Sequence, residues 1–230
     1  MELFELIKQR QAVRQYSDKP LNEKTIEMIL KAGQSAPSPL NSQPWHFTLV
    51  RDKQNLKSLA KKARHASFLA QTSLLIIVTV HTKPEMDEWL IQHNQHLYSG
   101  AAALQNMWLT AYSLGIGGCW VTLDELFTKK LILIPEEQTI IGGLSLGHFT
   151  EKSKTYEEKN RWPLPVLTSF EQFNKQENCK TENCYACLKL VPKSAAHSFE
   201  GEDYVWYFCG KECYREWKKQ TQKWLDENNE

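Results

Sequence analysis

Residues 35–47, Ser-Ala-Pro-Ser-Pro-Leu-Asn-Ser-Gln-Pro-Trp-His-Phe, set the first limit on what this chain can fold into. Pro37, Pro39 and Pro44 each lack an N–H and fix φ, so no helix runs through the stretch. Ser38, Asn41, Ser42 and Gln43 therefore sit on a stiff, irregular backbone, with donors and acceptors available to a ligand. Trp45 and Phe47 then alternate with His46 and Thr48 into Leu49-Val50, the pattern of a strand entering a core. A rigid helix-to-strand connection and a ligand loop share this turn chemistry, so the stretch alone leaves both open.

The segments around it suggest alternating helices and buried strands. Leu3 to Arg14 reads as a helix with Leu3, Leu6 and Ile7 on one side, which would put Arg10 and Arg14 on a common face. Asn22 is a plausible N-cap for a helix over Glu23–Ala32, with Gly33 at its C-terminal end. Asp52 caps a basic amphipathic helix reaching about Arg64. Leu74 to Val80 is a continuous apolar, mostly β-branched run, as expected of a strand buried on both faces. Glu85 to Leu114 reads as one long helix, polar first and alanine-rich later, ended by Gly115-Ile116-Gly117-Gly118. Thr139 to Phe149 reads as another buried strand.

At 230 residues the chain has room for one large domain, or one domain and a small module. The formal net charge of +1 gives no overall field toward nucleic acid or an anionic membrane. The start, Met1-Glu2-Leu3-Phe4-Glu5, lacks the basic flank and apolar run of an export signal. Leu74 to Val80 is too short to span a bilayer, so a cytoplasmic protein with no membrane partner is expected. The cysteines are unevenly placed. Cys119 stands alone and reads as a buried, inert thiol, whereas Cys179, Cys184, Cys187, Cys209 and Cys213 crowd the last quarter. Without an export signal, such crowding favours a metal site over disulfides.

Four pieces distant in sequence have compatible chemistry: residues 10–14, the proline-rich stretch, Gly115–Gly118, and Lys159-Asn160-Arg161. Two arginine-bearing pieces could converge on a phosphate, and the glycines could let backbone amides face a flat ligand. Taken singly, Arg10 and Arg14 are as well explained as surface ion-pair partners, and Lys159 and Arg161 as a solvated charge run. His93 and His96 read better as part of a polar helix face than as metal ligands.

Together these pieces resemble the FMN-dependent nitroreductase family. The resemblance rests on Arg10-Gln11-Ala12-Val13-Arg14-Gln15-Tyr16, on Ala36 to Phe47 with its Asn-Ser-Gln-Pro-Trp core, on Gly115-Ile116-Gly117-Gly118-Cys119-Trp120, and on Leu146-Gly147 followed by Lys159 to Leu164. It covers about residues 1–173 and implies an α+β fold, a mostly antiparallel sheet flanked by helices, in a homodimer with two FMN sites at the interface. By position, Arg10, Gln11, Lys159 and Arg161 would hold the FMN phosphate, and Arg14 would reach the ribityl chain or the pyrimidine edge. Ser38, Pro39 and Asn41 would approach from the partner subunit, and Gly117 and Gly118 would offer backbone near flavin N5. Ala12 stands where the family usually has serine, which removes one phosphate hydroxyl. The implied activity is electron transfer from NAD(P)H to a nitroaromatic, a quinone or a similar electron-poor small molecule, with the chemistry supplied by the flavin rather than by a catalytic side chain.

Residues 174–230 read as a linker and a separate module. Cys184-x-x-Cys187 and Cys209-x-x-x-Cys213 form two ligand pairs, and four sulfurs suit a closed tetrahedral structural Zn²⁺. The segment resembles the small treble-clef zinc modules called TRASH or YHS domains, through Cys184-x-x-Cys187, a hairpin around residues 201–207, and Tyr207-Phe208-Cys209-x-x-x-Cys213-Tyr214. Cys179 and His197 read as non-ligands. A final helix, Cys213 to about Leu225, mixes basic and aromatic residues, but nearby acidic side chains offset the charge and argue against nucleic acid. The alternative to an enzyme is a flavin-fold sensor whose zinc module recognises a partner or a metal.

Overall fold

The computed structural model describes residues 2–151, 153, 161, 164–173, 181–187, 190–192, 197–200 and 205–228. The chain divides into two compact units, Met1–Glu157 and Glu158–Glu230.

The first unit is built on the apolar run expected to be its central strand. Strand β1 (Trp45–Val50) pairs antiparallel with β2 (Leu74–Val80), and β2 pairs antiparallel with the later strand β4 (Thr139–His148). Strand β3 (Ile116–Val121) pairs antiparallel with β4, so the sheet order is β1-β2-β4-β3. Every residue of β2 is buried. Side chains alternate faces along a strand, and β2 divides accordingly. Leu74, Ile76 and Val78 pack with Ile26 and Ile29 of α2 (Glu23–Gln34) and with Leu104, Met107 and Trp108 of α5 (Gln95–Ser113). Leu75 and Ile77 face the other way, to Leu56 and Leu59 of α3 (Lys53–Lys62) and to Ile134, with Phe127 of α6 (Glu125–Ile132) packed against that cluster. The result is helix, sheet, helix: the α+β architecture expected.

Capping chemistry sets several boundaries as the sequence suggests. The Asn22 side chain accepts from Thr25 N at 2.8 Å, and Asp52 accepts from Asn55 N at 2.8 Å. Other boundaries differ. Helix α1 covers only Leu3–Gln9, so Arg10–Arg14 is not helical and its two arginines share no helix face. The single helix expected from Glu85 is two, α4 (Glu88–Gln92) and α5, separated at Asn94 with φ of 55°. Asparagine tolerates this left-handed conformation better than most residues, and a helix cannot pass through it. Gly33 is not a terminus: α2 continues to Gln34, and a Cβ at Gly33 would lie 2.8 Å from Met107 Cγ. The glycine serves close approach of α2 to α5. Finally, Gly117 and Gly118 lie within strand β3, not in a loop.

In the second unit, α7 (Leu164–Leu167) precedes two hairpins, β5 (Thr181–Asn183) with β6 (Leu190–Pro192), and β7 (His197–Glu200) with β8 (Val205–Phe208). Helix α8 (Lys211–Asn228) follows, starting two residues before the expected Cys213. Among the described residues no helix is long and apolar enough to cross a membrane.

Candidate flavin and metal sites

Residues after α1 leave the helix because they dock along a strand edge. Val13 N donates to Gly118 O at 2.9 Å, and Ala12 forms a parallel bridge with Gly118. Further on, Tyr16 bridges Phe149 and Ser17 N donates to His148 O. Gly117 and Gly147 are register partners on β3 and β4. A Cβ on Gly117 would lie 2.8 Å from Val13, and one on Gly147 would lie 2.7 Å from the Tyr16 ring. The paired glycines thus make a bare floor on which the arginine-bearing segment lies, rather than an open face.

Two aromatic residues hold this segment, and neither was picked out as a site residue from the sequence. The Tyr16 hydroxyl donates to Val13 O at 2.6 Å and accepts from Ser145 Oγ at 2.7 Å, with Cys119 O also within 3.1 Å of that serine oxygen. Burial raises the Tyr16 pKa well above its ordinary value, and the Ser145 hydrogen bond opposes this less strongly. Cys119 is buried, as expected. The Trp108 indole N–H donates to Gly118 O at 3.0 Å, and the Arg10 guanidinium carbon lies 4.0 Å from the Trp108 ring centroid. The Arg14 guanidinium lies 6.0 Å from the Phe68 ring, and Gln11 Nε2 reaches Ser153 O at 3.5 Å. A bulky tryptophan on an otherwise alanine-rich helix face was the available signal for Trp108.

Ala12 and Val13 are therefore brought against Gly117 and Gly118, while the side chains of Arg10, Gln11 and Arg14 reach Trp108, Ser153 and Phe68. Ser38, Pro39 and Asn41 are not brought there. Their loop leads into Trp45, whose row across the sheet is Val80 and Thr139, whereas Gly117 pairs with Gly147. These rows are eight residues apart on β4, about 26 Å at ~3.3 Å per residue, and β1 lies three strands from β3, about 14 Å. Within one chain the two groups occupy diagonally opposite corners of the sheet.

The proline-rich loop is strained. Leu40, Asn41 and Gln43 have φ of 51°, 53° and 45°. Non-glycine residues rarely adopt such values, and a cluster of them points to function. The Ser38 hydroxyl is used internally, accepting from Gln43 N at 3.0 Å, while Asn41 is exposed. Beside the loop, a cavity of about 400 Å³ is lined by Leu30, Lys31, Gln43, Trp45 and Phe47 among others. Of the remaining expected residues, Arg161 is exposed and belongs to the second unit, and Lys159 lies outside the described residues. His93 Nδ1 donates to Trp89 O at 2.7 Å.

In the second unit Cys184 and Cys187 flank the turn after β5, Cys209 follows β8, and Cys213 sits in the first turn of α8. Their four sulfurs lie within 4.8 Å of one another, with Cys187–Cys209 at 3.7 Å and Cys209–Cys213 at 3.3 Å. Four sulfurs each ~2.3 Å from one tetrahedral ion would be about 3.8 Å apart, so the set can hold a metal ion. Burial opposes ionisation of Cys184, but hydrogen bonds from the Cys187, Cys209 and Ala186 backbone outweigh it and bring its pKa down to about 7. The Cys213 thiol is pushed up, first by its hydrogen bond with Cys209 and then by burial. Tyr185 N donates to Tyr207 O at 2.7 Å, tying the first cysteine turn to β8. Around this bond Tyr185, Trp206, Phe208, Tyr214 and Trp217 form a ring cluster, with Trp206–Trp217 centroids 4.5 Å apart. Cys179 lies outside the described residues, and for His197 only the backbone pairing with Phe208 is described.

The first unit matches the model of the nitroreductase family over residues 7–83 and 65–148. The chain belongs to the nitroreductase family. It is 32% identical over 166 residues to a protein of Archaeoglobus fulgidus with the provisional name NADH dehydrogenase/NAD(P)H nitroreductase, spanning 70% of this chain and 93% of that protein. It is 26% identical over 192 residues to the 5,6-dimethylbenzimidazole synthase of Rhodospirillum rubrum, spanning 70% and 91%. The fold of this nitroreductase-family chain also matches the structure of an FMN-dependent nitroreductase from Clostridium difficile, with a TM-score of 0.60 and 21% identity over 74% of this chain and all of that one. Residues 172–230 match a second model, Domain of unknown function (DUF3330).

Proposed function

We propose that this nitroreductase-family enzyme binds FMN and passes electrons from NAD(P)H to a nitroaromatic, a quinone or a similar electron-poor small molecule. The observation that supports this reading most is the arginine-bearing segment of residues 10–14 fastened beside Gly117 and Gly118. Its donor set fits the cofactor: two guanidinium groups and an amide suit a phosphate and a ring that gains negative charge on reduction. In this reading Arg10 and Gln11, with Lys159 and Arg161, bind the phosphate, Ala12 lines the same stretch without a hydroxyl, and Arg14 stabilises negative charge on the ring. Gly117 and Gly118 form the strand edge that holds this segment beside the ring. FMN held by these residues would supply the hydride-accepting and electron-donating chemistry that links nicotinamide to acceptor. The chain's own residues bind, orient and supply charge, and no side chain is assigned as a general acid or base.

A homodimer follows from the same reading, because Ser38, Pro39 and Asn41 can join the site only from a second subunit if one chain holds them at the far corner of its sheet. Exposed apolar residues support this. Helix α1 has no buried residue, and Leu3 and Phe4 are 67% and 73% exposed. Such a helix gains little from its own core and is better placed by a partner surface. In the division proposed, residues 1–173 form the flavin domain and residues 174–230 a Zn²⁺ module held by Cys184, Cys187, Cys209 and Cys213. The all-sulfur set, with every sulfur within 4.8 Å of the others, supports zinc.

The test is spectroscopic. Purified protein is expected to be yellow and to bleach with NAD(P)H under anaerobic conditions, and steady-state data should give parallel double-reciprocal lines because nicotinamide and acceptor alternate in one cleft. Failure of refolded wild-type protein to quench FMN fluorescence overturns the reading.

A further inference from the structure

We infer that Trp108 is a positioning residue that aims Arg10 and thereby makes the site prefer FMN over riboflavin. The inference rests on the FMN reading above. Trp108 sits on α5, 9% exposed, in the core between α5 and the sheet. Its indole N–H donates to Gly118 O at 3.0 Å, the same oxygen that accepts from Val13 N at 2.9 Å. One carbonyl thus fastens both the indole and the segment carrying Arg10. The Arg10 guanidinium then lies over the indole face, 4.0 Å from the ring centroid.

This arrangement does two things for a long, flexible side chain. A tryptophan face attracts the cation and fixes its plane. A guanidinium lodged there is held where its paired N–H donors suit two oxygens of a phosphate. The indole cannot turn without losing its bond to Gly118, so the plate that orients Arg10 is fixed to the strand on which the cofactor segment docks. Arg10 is read as a phosphate ligand, and the phosphate is what separates FMN from riboflavin. Losing the plate should therefore weaken FMN selectively.

The experiment measures FMN and riboflavin affinities by fluorescence quenching for wild type, Trp108→Phe, Trp108→Leu, Arg10→Ala and the Trp108→Leu/Arg10→Ala double variant. Wild type should prefer FMN. Trp108→Leu removes the face and the N–H, and should lower FMN affinity about 10-fold. Trp108→Phe keeps a weaker face and should cost FMN about 3-fold. Riboflavin affinity should stay within about twofold in both, and the double variant should be no worse than Arg10→Ala alone, because the two act as one unit. Equal weakening of both flavins in Trp108→Phe, or additive losses in the double variant, would overturn the assignment and leave Trp108 a packing residue. Should Trp108→Leu fail to fold, Trp108→Phe decides alone. A wild type that binds both flavins equally rejects the positioning role but not the flavin site, whereas one that binds neither rejects both.

Discussion

In the first unit, strand β2 buries all seven of its residues between two layers of helices; in the second, among the described residues, Cys184 and Phe208 are the fully buried side chains. The first unit has enough apolar surface on both sides of its sheet to hold its shape. Among its described residues the second has short strands, one long helix and one of a single turn, a cluster of aromatic rings and four converging sulfurs. A segment of that size cannot bury much apolar surface, and a metal on the four sulfurs, as proposed above, would supply what is missing. The same chain thus contains a part whose stability comes from packing and a part whose stability should come from ligand binding.

The largest expected effect tests this contrast directly. Cys209→Ser, or a strong chelator, should release zinc and make residues after about 178 protease-sensitive, because structural zinc is worth on the order of 10 kcal/mol to such a fold. The flavin absorbance should persist; its loss together with the metal would mean that the module builds part of the flavin site. The converse variant, Leu104→Ala, opens a cavity where α5 meets the sheet and should cost about 2–5 kcal/mol in denaturant titration. Zinc content by elemental analysis should not change.

Arg161→Ala, at an exposed residue, separates loss of cofactor from loss of fold. Loss of a charge-assisted phosphate bond worth about 1.5–3 kcal/mol should weaken FMN about 10- to 100-fold, with the melting temperature of the apoprotein unchanged. The smallest effect concerns Tyr16. Tyr16→Phe leaves Val13 O without the hydroxyl's hydrogen bond and should cost about 1–2 kcal/mol. The sign of its pH dependence follows from the raised pKa. Folded protein holds the phenol proton while the unfolded chain releases it near the ordinary tyrosine value of 10.0, so this contribution is complete below that pH and falls as pH climbs above it. Denaturation of wild type and Tyr16→Phe at pH 9 and 11 should show the two converging at the higher value.

What the sequence disclosed follows the strength of local signals. The run from Leu74 to Val80, the N-cap at Asn22 and the two cysteine pairs were legible because each depends on neighbouring residues or fixed spacing. The segment from Arg10 to Arg14 was misread as helix because the Leu3, Leu6, Ile7 period continues into it. The actual determinant is distant: the edge of β3 offers Gly118 O to Val13 N. The start of strand β3 was read as a helix terminus because glycine disfavours strands, yet Gly117 lets Val13 lie flat on β3 just as Gly147 lets Tyr16 lie flat on β4. Trp108 and Tyr16 escaped for the same reason, since their roles exist only once α5, β3 and β4 are assembled.

The placement of residues 10–14 and 38–41 at opposite corners of one sheet has a genetic consequence. Under the two-chain site proposed above, an Arg10→Ala chain and an Asn41→Ala chain are each defective at both sites of their own dimers. In the mixed dimer one site collects both lesions and the other has neither. With free exchange between equal amounts, about half of the dimers are mixed, and about a quarter of all sites are intact. A cell carrying both defective alleles should therefore show an activity that neither allele confers alone.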